Sequence, residues 1–211
     1  MTAIVGVAAE TLGNATIVKR RGWSKADIKR VCLDGTQAIL KDFVGKSWAV
    51  RWLGRRQVLR EIRALRLLRG IPGIPLCHGE APPCGILLEP MEGERITRWS
   101  RRSRAETASM FGRLDRLVEQ MHARGVVHLD LCKRDNILVG PSGLPSIIDF
   151  NASVCFRPGS LAARLLLPLL RHIDTFALLK WKSRLSPDLL TAAEWRSHQR
   201  MRLLRRVWIF N

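Results

Sequence analysis

The chain has 211 residues, 46% hydrophobic and 26% charged, which is enough apolar material for a real core and excludes wholesale disorder. Lysine and arginine number 36 against 18 acidic residues, a net charge of +18. That balance favours an anionic partner (phosphates, nucleic acid or an anionic membrane surface), with a solvated basic surface as the plain alternative. No uncharged apolar run is long enough to cross a membrane, and residues 1–15 lack a basic start and carry Glu10, so neither a transmembrane helix nor a signal peptide is expected.

Residues 1–23 read as a poorly structured or edge-like N-terminal extension. Residues 28–33, the turn pair Asp34-Gly35 and residues 38–43 read as a β-hairpin. Residues 54–68 read as a helix with Val58, Ile62 and Leu65 on one stripe, ended by the breaker Ile71-Pro72-Gly73-Ile74-Pro75. Residues 76–80 and 85–89 read as short strands around Ala81-Pro82-Pro83. The clearest helix covers 103–124. Ser103 and Glu106 have capping-box spacing, Met110, Phe111, Leu114, Leu117, Val118 and Met121 follow the helical repeat, and Gly125 stops it. Val126-Val127 is a brief strand, 128–136 a polar loop, and 137–139 with 146–148 a second hairpin around Gly140-Pro141-Ser142-Gly143. The remainder is helical in character. Its apolar run at 161–170 is expected as a core helix, with a membrane anchor as the alternative, followed by a basic helix. Strands early and helices late make an α+β pattern with two sublobes.

Three stretches carry most of the positive charge: 51–70 with seven arginines and one glutamate, 95–116 with seven arginines and two acids, and 196–206 with five arginines and no acid. Trp195 and Trp208 flank arginine clusters and suit a membrane interface, although tryptophans are mostly expected in packing. Five cysteines, an odd number without a CxxC pair, fit a reduced cytoplasm better than a disulfide framework.

The segment with chemical content runs from Val127-His128-Leu129-Asp130 through Lys133 and Asn136 to Asp149-Phe150-Asn151. A hairpin brings the residue before its first strand beside the residue after its second, so Asn136 and Asp149 are expected at one end. An amide oxygen and a carboxylate there suit Mg²⁺ with phosphates completing the shell. Asp130, in the loop feeding the hairpin, is placed to take a proton from a hydroxyl, and Lys133 to offset charge on a transferring phosphoryl group. His128 is expected to be structural. Glu61 lies on the apolar stripe of its helix, where a carboxylate needs a cation, and Lys41 is the candidate.

These residues resemble the catalytic loop and metal motif of the protein kinase-like superfamily, here His-x-Asp and Asp149-Phe150-Asn151. The resemblance covers roughly residues 24–180. It implies a two-lobed α+β fold with a truncated, mostly helical C-terminal lobe, divided as an extension at 1–23, a small β-rich lobe at 24–93 and a helical lobe at 94–211. Within the superfamily the chain looks most like the small bacterial branch near RIO-type and lipopolysaccharide (Kdo or heptose) kinases. It further implies ATP and Mg²⁺ as cofactors. Lys41 would be the third-strand lysine braced by Glu61, residues 87–93 the hinge with Glu89 and Met91 at the adenine, Asn136 and Asp149 the metal ligands, and Asp130 and Lys133 the catalytic pair. The implied activity is transfer of the γ-phosphate to a hydroxyl, most simply a protein Ser/Thr, in the cytoplasm. The alternatives are a core-sugar hydroxyl of lipopolysaccharide, reached by peripheral contact with the anionic inner membrane face, and a catalytically inactive module that binds a partner; nucleic acid ranks behind these. Three departures stand out. Asp130 to Asn136 is six residues where the family has five. Asn151 replaces the last glycine of the metal motif. The glycine-rich phosphate loop is missing, leaving backbone near Ser24-Lys25 to cover phosphates.

Overall fold

Alternation of apolar and polar residues in the first part of the chain builds an antiparallel sheet. The computed structural model describes residues 16–19, 22–23, 25–33 and 35–207. Its first sheet has five strands in the order β1-β2-β3-β5-β4: β1 (Thr16–Lys19), β2 (Asp27–Leu33), β3 (Thr36–Asp42), β4 (Cys77–Ala81) and β5 (Gly85–Leu88). β2 and β3 pair throughout, from Leu33 opposite Thr36 to Asp27 opposite Asp42. Gly35 takes φ +79° in their tight connection, a conformation that glycine adopts at little steric cost. Asp34 of that turn, Ser24 of the expected phosphate cover, residues 1–15 and Trp208 lie outside the described residues.

The strand period sorts β3 by face. Ala38 and Leu40 pack with Val31, Ala81 and Leu87 in a small apolar cluster, while Lys41 has the opposite parity. Against this sheet lies α1 (Trp48–Leu67), which starts at Trp48 rather than at residue 54 as the sequence suggests. Trp48, Arg51, Trp52 and Leu53 of its early turns are exposed, which hides the inward stripe in the sequence, but Val50 and Gly54 belong to it. A β-carbon added at Gly54 would sit 2.6 Å from the Phe43 ring, so the missing side chain allows this close approach. The 3₁₀ turn Phe150–Ala152 also packs on α1.

The described residues form two compact units, one reaching Met91 and including Asp149–Ser153, the other holding Glu92–Ile148 and the chain from Val154 onward. In the second, β6 (Glu94–Arg95), β8 (Ile137–Val139) and β9 (Pro145–Ile147) form a three-stranded sheet, while β7 (Val126–Val127) pairs with β10 (Val154–Cys155). α2 (Arg104–Ala123) carries the full capping box between Ser103 and Glu106 and buries the stripe from Met110 to Met121. α3 (Leu161–Leu185) and α4 (Ala192–Val207) follow.

The run at 161–170, expected as a core helix, is corrected by the structure. It forms the first part of α3 but stands in solvent, with Leu161, Leu165 and Leu169 exposed by 75%, 72% and 65%. The inward-facing part of α3 comes later, with Asp174, Phe176, Ala177, Leu178, Leu179 and Trp181 buried. A nearly continuous leucine run does not mark one face, so periodicity could not show which side was covered.

Gly54→Ala is expected to destabilise the protein by about 1–3 kcal/mol despite alanine's better helix propensity, because the Phe43 ring has to move. Urea denaturation checks this, and a gain in stability would show that the helix–sheet approach is not tight.

Candidate active site

Lys41 lies in the central part of the sheet, paired in register with Ile28 of β2 and Ile86 of β5. Its Nζ is 2.6 Å from Glu61 Oε1 and 3.0 Å from Asp149 Oδ1. Glu61 stands on the buried face of α1, and the Phe150 backbone amide donates to its carboxylate. Asp149 holds left-handed backbone angles, φ 70° and ψ 60°, which aspartate tolerates better than most residues. Burial pushes the Lys41 ammonium down, but Glu61 and Asp149 outweigh it, and its pKa ends above the ordinary value. Burial pushes the Glu61 carboxyl up, Lys41 pulls it back and Asp149 adds to the rise, leaving it above the ordinary value of 4.5. The arrangement is a charged lysine held by two carboxylates in the interior of this unit.

The loop of the second unit gathers the other predicted residues. Lys133 Nζ is 2.6 Å from Asp130 Oδ2. Asn136 Nδ2 donates to the Asp130 carbonyl at 3.0 Å and to Asp130 Oδ2 at 3.2 Å. The six-residue interval closes as two successive turns, Lys133 N to Asp130 O and Asn136 N to Lys133 O, each at 3.2 Å. The extra residue is thereby absorbed, with the Asp130 carboxylate still held by Asn136. Both side-chain bonds of Asn136 use its nitrogen, and its Oδ1 is the atom of that amide able to ligate a hard cation. Of the two expected metal ligands, Asn136 belongs to this unit and Asp149 to the first. As donors, an amide oxygen and a carboxylate fit Mg²⁺ chemistry.

His128 is fully buried, its Nε2 3.1 Å from the Ile148 carbonyl oxygen, a packing role rather than an acid–base one. In the expected hinge, Glu89 makes local contacts: its amide donates to the Leu76 carbonyl at 2.8 Å, and its carboxylate accepts from the Leu76 amide at 2.9 Å. Met91 is half-buried close by in sequence.

Sequence reasoning missed Asp174. This fully buried carboxylate of α3 accepts from the His128 amide at 2.8 Å and the Leu129 amide at 2.9 Å, and lies 3.0 Å from His122 Nε2. It fixes Leu129 at φ 66°, a strained value for a leucine. Further along α3, Lys180 donates to the Cys132 carbonyl and the Trp181 indole to the Leu131 carbonyl, each at 2.8 Å. An isolated acid in the apolar sequence Ile173-Asp174-Thr175-Phe176 was the available signal.

No family model matches the sequence. The chain is 36% identical over 116 residues to a putative cyclin-dependent kinase F-2 of Oryza sativa subsp. japonica, covering 47% of this chain and 35% of that protein. Its fold is similar to that of Rio2 kinase from Chaetomium thermophilum, solved as an ADP/Mg²⁺–phosphoaspartate complex, with a TM-score of 0.62 and 18% identity over 87% of this chain and 61% of that one. The chain thus spans less than two thirds of the length of either protein. Its architecture is the protein kinase-like fold with a small helical part.

Lys41→Met removes the cation from between two carboxylates, so the Glu61 pKa should rise further. A carboxyl whose folded-state pKa exceeds its unfolded value keeps its proton on folding, and the stability this contributes is lost as pH rises from about 4.5 toward the folded value. The variant should therefore lose stability relative to wild type over that window, by up to about 1.4 kcal/mol per pH unit. Denaturation from pH 4 upward reads this, and parallel curves would refute it. Asp174→Ala should cost about 3–5 kcal/mol, since it strips two loop amides of a buried acceptor. A smaller loss than an exposed Asp188→Ala control would remove Asp174 from its clamping role.

Proposed function

We propose that this chain is an ATP- and Mg²⁺-dependent phosphotransferase that moves the γ-phosphoryl group to a hydroxyl, a protein Ser/Thr being the first acceptor class. The observation that carries this is the buried Lys41 held by Glu61 and Asp149 in a protein kinase-like fold. A cation of that kind is suited to nucleotide phosphates, and Glu61 keeps it oriented. The kinase names of the rice relative and of Rio2, and the ADP and Mg²⁺ of the Rio2 complex, support the same reading.

In this scheme Asp130 accepts the hydroxyl proton of the acceptor. Asn136 holds the Asp130 side chain, and the exposed Lys133 swings from it to offset negative charge on the moving group. Asn136 and Asp149 would hold Mg²⁺, which when bound neutralises charge on the phosphates. Backbone around Glu89 and Met91 would hold the adenine.

A second acceptor class, a sugar hydroxyl of the lipopolysaccharide core, is favoured by one observation. All seven arginines between residues 51 and 69 are exposed, a surface suited to a phosphate-rich glycolipid.

Labelled ATP offered with protein and lipid-linked core-sugar acceptors tests both. Asp130→Ala should cut transfer about 10²–10⁴-fold with nucleotide binding nearly unchanged. Nucleotide binding without turnover in the wild type, unaltered by Asp130→Ala, would reject the enzyme and leave an inactive binding module.

A further inference from the structure

We propose that the first half of α3 docks this protein on an anionic phospholipid bilayer, lying in the interface rather than crossing it. Leu161, Leu165, Leu169 and Ile173 recur every four residues, and with Leu166 they form one exposed apolar face. Five large aliphatic side chains side by side in water are far more than the scattered exposed apolar residues of an ordinary surface. Arg164 and Arg171, two turns apart, are exposed to one side of this face, and Arg157 is exposed just before the helix. No aspartate or glutamate occurs between Asp149 and Asp174, so the stretch carrying the stripe is purely cationic.

Apolar face and charge together select the occupant. A helix with a leucine face flanked by arginines gains both from acyl chains and from anionic headgroups. A second copy would bring Arg164 and Arg171 of two chains together, each carrying +18, with no acid in the stripe to offset them. Nucleic acid is bound through stacking aromatics and polar groups, which these leucines do not supply. Among the described residues no helix is long and apolar enough to cross a membrane, which leaves the interfacial position.

The test is co-sedimentation of the full chain with vesicles of phosphatidylcholine alone or mixed with phosphatidylglycerol, across a salt series. The wild type should bind the anionic vesicles, weakening as salt rises, and bind the neutral ones far less. Leu165→Ser/Leu169→Ser should reduce partitioning about tenfold or more at every salt concentration. Arg164→Glu/Arg171→Glu should reduce it and flatten the salt response. In Leu165→Trp, the added indole emission should shift to the blue only when anionic vesicles are present. Undiminished binding by the serine variant, or no binding by the wild type, would overturn the proposal. So would a lower melting temperature of the serine variant without lipid, which would mean that the stripe is covered within the chain. A concentration-dependent dimer abolished by the serine substitutions would instead assign the face to a second copy.

Discussion

A buried charge needs partners, and Lys41 sets that requirement at the middle of the first unit. Its ammonium has lost most of its water, and only nearby carboxylates keep it charged. The need draws α1 into a fixed rotation, because Glu61 has to face inward. It also places the segment at Asp149, whose left-handed backbone is held between Ile148 and the buried Phe150. Strand, helix and returning segment are thus tied to one nitrogen atom. Burial is the main upward push on Glu61, and repulsion from Asp149, the second carboxylate around one cation, adds to it. A second cation arriving at Asp149 would relieve that repulsion, as the proposed metal–nucleotide complex requires.

The second unit solves a different problem, that of holding an irregular loop rigid. The loop backbone from His128 to Asn136 contains no regular ladder, so its amides and carbonyls need other partners. α3 supplies them: the Asp174 carboxylate for the first two amides, and Lys180 and Trp181 for two carbonyls. Asp130 is thus fixed on one side by a clamped backbone and on the other by Asn136. The strain at Leu129 is maintained by bonds that would be lost if it relaxed.

Much of this was legible in the sequence because the signals were local. The capping box at Ser103, the two hairpins and the polar loop between Val127 and Ile137 follow from short-range chemistry. The Lys41–Glu61 pair was visible because a carboxylate on an apolar stripe requires a cation. What the sequence hid depended on contacts distant along the chain. The start of α1 was obscured by exposed tryptophans, and of its inward residues Val50 and Gly54 the latter gains its meaning only against Phe43. Asp174 lies 46 residues beyond the His128 amide that it accepts, and no local pattern links them. The leucines of α3 misled for a simpler reason: apolar residues are usually covered, and these are not.

The distribution of cations shows how one chain carries +18 and still folds. On α1 the arginines at 51, 55, 56, 60, 63 and 66 all face solvent, as does Arg69 just after it, while the one acid of that helix faces the sheet. Cations outward and one anion inward let the apolar stripe of Val58, Ile62 and Leu65 pack without burying a guanidinium. The inward Lys41 is neutralised within its own unit, which leaves the surplus of positive charge on the exposed surface. A surface of this sign raises the local concentration of anything phosphorylated, in proportion to its charge and less so in high salt. Fold and surface therefore use charge in opposite ways, compensated around Lys41 in the interior and in positive surplus outside.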